Sequence, residues 1–229
     1  MTGAPARPRI VPFGDTAILV TVDATDEHDV AHIRTIHRLA AAIRELGDPR
    51  LDNPVPGATS VLVGYDPRAL DPTEAAARVR TALDAAVAAG EATDERRRAP
   101  LVELPTRYGG SDGPDLAELA AAAGLSEQAV IELHASVEYV VAFLGFAPGF
   151  AYLSAVPPAI GVPRRATPRE RVPAGSVGIA DRRTAVYPGG TPGGWQLLGR
   201  TDVSVWDARR EPPALLVPET RVRFVPVGR

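Results

Sequence analysis

Residues 176–206 read SVGIADRRTAVYPGGTPGGWQLLGRTDVSVW. Short runs of apolar and β-branched residues, at 176–180, 184–187, 195–198 and 203–206, are separated by Gly, Pro and charged residues. Runs of this length between turn formers are strands, not helices. The pattern extends in both directions, to 137–144 upstream and to 214–217 and 221–226 downstream. Helical periodicity is absent from residue 137 onward. Leu101-Val102-Glu103-Leu104-Pro105 supplies a further strand. Many short strands with turn signals between them predict a β-barrel or sandwich.

Two short helices precede this region. Asp115 through Ala123 reads as a helix with Glu118 at the capping-box position and Gly124 after it. Ser126 caps the next helix, Leu125 staples it against Val130, and it ends near His134. Residues 91–99, EATDERRRA, are polar and charged enough to be a solvated linker. Upstream of it the texture differs. Residues 9–22 hold two β-type runs around Phe13-Gly14-Asp15, which predicts a hairpin or a bent strand. Val30, Ile33, Ile36, Ala40 and Ile43 recur at helical spacing, and Gly47 stands where a cap glycine belongs. Residues 59–65 read as a strand. A second helix opens at Asp71-Pro72-Thr73-Glu74 and ends at Gly90. The expected organisation is an α+β domain over 1–94, a small antiparallel sheet covered on one face by two helices, followed by a β-barrel domain over 95–229.

Composition closes several routes. The 229 residues carry 25 basic side chains, every one an arginine, against 28 acidic ones, for a net charge of −3. No global basic field exists to draw in nucleic acid. The absence of cysteine removes thiol nucleophiles, disulfides and zinc–thiolate sites. The absence of lysine removes Schiff-base chemistry and the P-loop cation. No apolar run approaches the roughly 20 residues of a membrane span. MTGAPARPRI lacks the apolar core of a secretory signal, so a cytoplasmic protein is expected.

Local chemistry gathers in the second half. His28 and His32 share a helix face, but no cysteine exists to complete a closed metal site, and no metal is expected there. Gly145-Phe146-Ala147-Pro148-Gly149-Phe150-Ala151-Tyr152 alternates rings with Gly and Pro. It is either a turn that packs its rings into the core or a rigid aromatic wall beside exposed amides. Residues 164–200 hold Arg164, Arg165, Arg169, Arg171, Arg182, Arg183 and Arg200 against only Glu170 and Asp181. That segregated excess favours an anion site or an acidic partner surface. Ser176 follows a glycine but not in a nucleophile elbow; its one available base is His134, and a turn serine is the plainer reading. Residues 188–195, with Gly193, Gly194 and Trp195, read as a loop.

Together these segments resemble a known family. His134, Tyr139, Gly145-Phe146-x-Pro148-Gly149-Phe150-x-Tyr152-Leu153, Pro163-Arg164-Arg165, Pro168-Arg169, Val172-Pro173-Ala174-Gly175-Ser176-Val177, Tyr187-Pro188 and Pro192-Gly193-Gly194-Trp195-Gln196-x-x-Gly199-Arg200-Thr201 occur in its order and spacing. Phe13-Gly14-Asp15 matches as well. The family is that of the 5-oxoprolinase B subunit, also called Kip-type kinase inhibitor or allophanate hydrolase subunit 1. The resemblance implies a cyclophilin-like C-terminal β-barrel. It also implies a larger companion, of the allophanate hydrolase subunit 2 or 5-oxoprolinase C-subunit type. In the oxoprolinase a third, lactam-handling subunit joins, and the assembly opens 5-oxoproline to glutamate with ATP; this chain itself has no nucleotide motif.

Two functions follow from the resemblance. As an enzyme subunit, the chain would use its arginines on a carboxylate or phosphate, with His134 as the candidate for proton transfer. As a binding module, the same surface would dock on a sensor histidine kinase, or in an allophanate- or urea-type amidohydrolase complex. In either case Phe146, Pro148, Gly149, Phe150, Arg164, Arg165, Arg169, Ser176, Tyr187, Gly193, Gly194, Trp195 and Arg200 are the candidate contact residues. With no complete hydrolytic triad, the isolated chain is expected to have little activity.

Overall fold

The computed structural model describes residues 8–89 and 99–228. The chain divides into two compact units, Met1–Arg98 and Ala99–Arg229.

In the first unit, β1 (Arg9–Pro12), β2 (Ala17–Thr21), β3 (Val55–Pro56) and β4 (Ser60–Gly64) form one antiparallel sheet of order β1-β2-β4-β3. Gly14, at φ 63°, turns the β1–β2 hairpin. Alternation puts Ile18, Val20, Val61 and Val63 on one face, each no more than 1% exposed. That face meets α1 (Val30–Glu45) and α2 (Pro72–Ala89) through Ile36, Leu39, Ile43, Val79 and Leu83. Burying each such side chain contributes about 1.5–3 kcal/mol. Both helix starts are capped by aspartate. Asp29 accepts from the Ala31 amide, and Asp71 accepts from the Thr73 and Glu74 amides, with Pro72 at the first helical position. Gly47, at φ 59°, follows α1. The expected helix end at Gly90 and linker residues 91–98 lie outside the described residues.

The second unit is built on β5 (Leu101–Tyr108), β6 (Tyr139–Leu144), β7 (Ala151–Leu153), β9 (Ser176–Ala180), β10 (Arg183–Val186), β12 (Gln196–Arg200) and β13 (Arg221–Pro226). These strands close into a barrel of order β10-β7-β6-β13-β5-β12-β9. β13 runs parallel to β5, and this pairing joins the two ends of the unit. The other neighbours are antiparallel. This is the barrel of the expected cyclophilin-like class. α3 (Leu116–Ala123) packs on β12 and α4 (Glu127–Ala135) on β13. Ser126 caps α4 through the Ala129 amide, and Leu125 packs onto the core that contains Val130. Leu104, Val141, Leu153, Val177, Ile179, Val186 and Leu198 fill the interior.

β9 and β10 are buried on both faces. Val177, Ile179, Thr184 and Val186 share one side of the paired register; Gly178, Ala180 and Ala185 occupy the other. The small residues leave room for a second apolar layer, formed by Phe150, Tyr187, Trp195 and Leu197 with Val172. A Cβ on Gly178 would already stand 3.2 Å from that of Trp195.

The predicted strands need revision at several places. Thr191–Gly193, expected within a loop, is β11, and it pairs with β8 (Arg169–Val172) in a separate two-stranded sheet. β7 and β8 carry no isolated strand signal because Gly and Pro crowd their flanks. Conversely, 203–206 and 214–217 have β-type residues but form no strand. They meet through one bridge, Trp206 with Ala214, and a bond from the Leu215 amide to the Val205 carbonyl.

Candidate functional site

The outer apolar layer of the barrel ends in a set of rings. Phe150 meets Tyr152, Tyr187 and Trp195 edge-on, with centroids 5.0, 5.2 and 5.5 Å away. Edge-to-face contacts of this kind fix ring positions and add about 0.5–1.5 kcal/mol each. Phe143 stacks on Tyr152 at 4.4 Å, and the Arg183 guanidinium lies 5.0 Å above Phe143. Phe150, Tyr187 and Trp195 are buried and form part of one core cluster, so these rings pack the interior.

Phe146 is the exception. It is 61% exposed, at φ 65°. The Ala147 amide donates to the Gly145 carbonyl at 2.7 Å, so Phe146 is the central residue of a γ-turn at positive φ. That turn is rare and strained, above all for a bulky residue. Its ring remains edge-on to Phe150 at 5.2 Å. Pro148 is exposed beside it, and Gly149, at φ 79°, is buried under Trp206, whose Cβ would stand 2.7 Å from a Cβ there. Phe146 thus combines exposure with a strained backbone, the combination that marks a candidate contact element.

Arg164 acts electrostatically on two of these rings. Burial raises the Tyr152 phenol pKa while Arg164 and Arg183 pull it down. Burial likewise raises that of Tyr187, against the Trp195 amide and against Arg164 and Arg169. Arg164 therefore lies within electrostatic reach of both phenols, Arg183 of Tyr152 and Arg169 of Tyr187. Arg164 is exposed and has no ion-pair partner among the described residues. Gly193 is fixed by this packing, because a Cβ there would strike the Tyr187 hydroxyl. Gly194 has ordinary room, its nearest neighbour being Pro168 at 3.6 Å.

The other candidate arginines are not equivalent. Arg165 and Arg169 both pair with Asp115, at 3.0 and 2.6 Å. They are structural first, and the cationic excess between 164 and 200 is partly neutralised from outside that window. Arg200, at the end of β12, is half-buried opposite Ser176 in the register and acts electrostatically on Asp202. Ser176 is 2% exposed.

His134 is fully buried inside the barrel. Its Nε2 lies 3.0 Å from the Thr184 hydroxyl, and that hydroxyl donates to the Gly178 carbonyl at 3.0 Å. Thr184 therefore accepts from Nε2–H. Nδ1 then accepts from the Tyr108 hydroxyl, 2.7 Å away. Burial lowers the imidazole pKa from 6.5 to about 3, so the ring is neutral. His134, the candidate for proton transfer, is sealed from solvent, and both its ring nitrogens are engaged. The Ser176–His134 pair does not form. Ser176 shares its side of β9 with Gly178 and Ala180, opposite to the side of Thr184.

Tyr152, Phe143, Arg183 and Asp115 pack against or pair with the candidate residues, although sequence reasoning did not name them as contact residues. Tyr152 lies within the ring motif and was within reach of it. Asp115 had no signal, since a helix-starting aspartate reads as a cap wherever it occurs. In the first unit, a cleft of about 440 Å3 lies among Leu46, Asp48, Pro49, Arg50, Arg78 and Thr81. Its cations are already committed to Asp48, at 2.8 and 3.1 Å, and hydrogen bonds from Arg50 hold that carboxyl at about 2. Among the described residues no three His, Asp or Glu side chains cluster as metal ligands, and no helix is long and apolar enough to cross a membrane.

What the outer face can do is bind. Arg164 suits a carboxylate or phosphate, and Phe146 offers an apolar surface to a ring or a partner side chain. Comparisons with known proteins place the chain in a family. Residues 8–216 match the family model described as carboxyltransferase domain, subdomain C and D. The chain is 44% identical over 223 residues to the 5-oxoprolinase B subunit of Escherichia coli O157:H7, covering 96% of each. It is 39% identical over 231 residues to the 5-oxoprolinase B subunit of Bacillus subtilis (strain 168), covering 97% of this chain and 94% of that one. The crystal structure of TTHA0988 superposes with a TM-score of 0.78 at 37% identity, over 93% of this chain and 40% of that longer chain. The chain thus belongs to the 5-oxoprolinase B-subunit family, within the carboxyltransferase subdomain C and D fold.

Proposed function

We propose that this chain is the B subunit of a 5-oxoprolinase complex that hydrolyses 5-oxo-L-proline to L-glutamate with cleavage of ATP. The observation that carries the reading is end-to-end similarity, at 44% and 39% identity, to two proteins named as B subunits of 5-oxoprolinase. The companions proposed are a larger protein of the 5-oxoprolinase C-subunit type and a third, lactam-handling subunit. In the reaction the ring C–N bond breaks, hydroxide from water adds to the carbonyl carbon, and the nitrogen gains the protons of a free amine. ATP is cleaved to drive that opening.

This chain's share is binding and orientation. Arg164 holds the lactam carboxylate or the phosphate of an activated intermediate. Phe146 closes the apolar side. Proton transfer falls to a group outside this chain, because His134 is neutral and buried. The site is therefore completed in trans.

Mixing the chain with the products of its neighbouring genes, and assaying glutamate from 5-oxoproline with and without ATP, tests the reading. Product is expected only when ATP and the companions are both present. No glutamate from any combination would defeat it.

A further inference from the structure

We infer that Asp115 is a positioning residue for the arginine face: its buried carboxylate latches the 163–169 segment onto β12 and so sets where Arg164 stands. Asp115 occupies the start of α3 with no side-chain capping bond, whereas Asp29, Asp71 and Ser126 cap their own helices. Forgoing a cap is unfavourable unless the side chain gains more elsewhere.

It gains three partners far along the chain. One carboxylate oxygen accepts from Arg165 at 3.0 Å and from Arg169 at 2.6 Å. The other accepts from the Leu197 amide at 2.6 Å, while the Asp115 amide donates to the Leu197 carbonyl at 3.0 Å. The side chain is 4% exposed, so these charge-assisted bonds form where water competes little. The segment is also tied to 194–196, through the Arg165 amide to the Gly194 carbonyl at 2.7 Å and Gln196 to the Pro163 carbonyl at 3.4 Å. Arg164 lies between these ties in the chain, and its charge lowers the pKa of the Tyr152 and Tyr187 phenols. Without the carboxylate, Arg165 and Arg169 become neighbouring cations with no counter-charge between them, and repulsion drives the segment off β12.

The latch stands on this geometry; its effect on turnover rests on the function proposed above. Hydrogen exchange on the full chain tests the latch itself. Asp115→Asn is expected to speed exchange of the 163–169 amides by about tenfold or more, with the peptides of β5 and β13 unchanged. Unchanged protection of 163–169 overturns the inference. Should Asp115→Asn fail to fold, the double variant Arg165→Gln, Arg169→Gln removes the same ion pairs from the half-exposed side, and the same two outcomes apply. A double-mutant cycle in the assembled enzyme then separates positioning from mere support. Asp115→Asn is expected to raise KM about tenfold in the wild-type background and to have little further effect in Arg164→Ala. Equal losses in both backgrounds contradict action through Arg164. A wild-type assembly that forms no glutamate refutes the proposed function, and the exchange result alone then decides the latch.

Discussion

At pH 7 the His134 imidazole is neutral, because burial lowers its pKa from 6.5 to about 3. In the unfolded chain the ring titrates near its ordinary value. Below about pH 6.5 the unfolded state therefore binds a proton that the folded state refuses. The stability this residue contributes is present above pH 6.5 and is lost as pH falls towards 3, at about 1.4 kcal/mol per pH unit. Urea unfolding at pH 7 and pH 5 is expected to show a loss of about 2 kcal/mol in the wild type from this residue. His134→Gln is expected to be less stable at pH 7, since Tyr108 and Thr184 lose their partner, but to have a flatter pH dependence; equal slopes would contradict the neutral tautomer. Phe146 is the opposite case, exposed and strained. Phe146→Gly removes the positive-φ penalty of about 1 kcal/mol, so thermal stability should hold or rise. Partner affinity or turnover should fall about tenfold, the usual scale for a lost aromatic anchor. Arg164→Ala is expected to change stability by less than about 0.5 kcal/mol and to lower kcat/KM by about tenfold to a hundredfold, with Arg164→Lys a partial rescue at best.

Elements were legible where alternation is long enough to see. β9, β10 and β13 each span 4 to 6 residues of β-type sequence, and both N-terminal helices announce themselves by spacing and caps. β7 and β11 have 3 residues each, and β11 contains Pro192, so neither has a period to detect. The stretches at 203–206 and 214–217 have strand composition but no neighbour to pair with beyond one bridge, and composition cannot report a missing neighbour. The turn before β9 is stricter than its sequence suggests. Gly175 sits at φ 79°, and a Cβ there would strike the Thr201 carbonyl. Gly175→Ala should destabilise by about 2 kcal/mol or more, whereas Gly189→Ala, with nothing within 4 Å of the added carbon, should stay within about 0.5 kcal/mol. Calorimetric melts of the two variants check this.

For the whole molecule, the segregation of charge was readable and its disposition was not. The arginine-rich stretch announces a cationic face, yet two of its guanidinium groups are taken up by Asp115, 50 and 54 residues upstream. No local pattern encodes a contact at that separation. The ring motif was likewise visible, but burial divides it: Phe150, Tyr187 and Trp195 are buried, and Phe146 is left exposed. Arg164, Arg171 and Phe146 are exposed and Arg200 is half-buried, while the histidine of the C-terminal half is locked in the core. Under the function proposed above, this face binds and orients, and a companion subunit completes the hydrolysis. The direct measurement is steady-state glutamate formation from 5-oxoproline and ATP, by the chain alone, by its companions alone and by the assembly. The account predicts turnover in the assembly only, reduced at least tenfold by Arg164→Ala. Full turnover by the chain alone, or an assembly indifferent to Arg164, would contradict it.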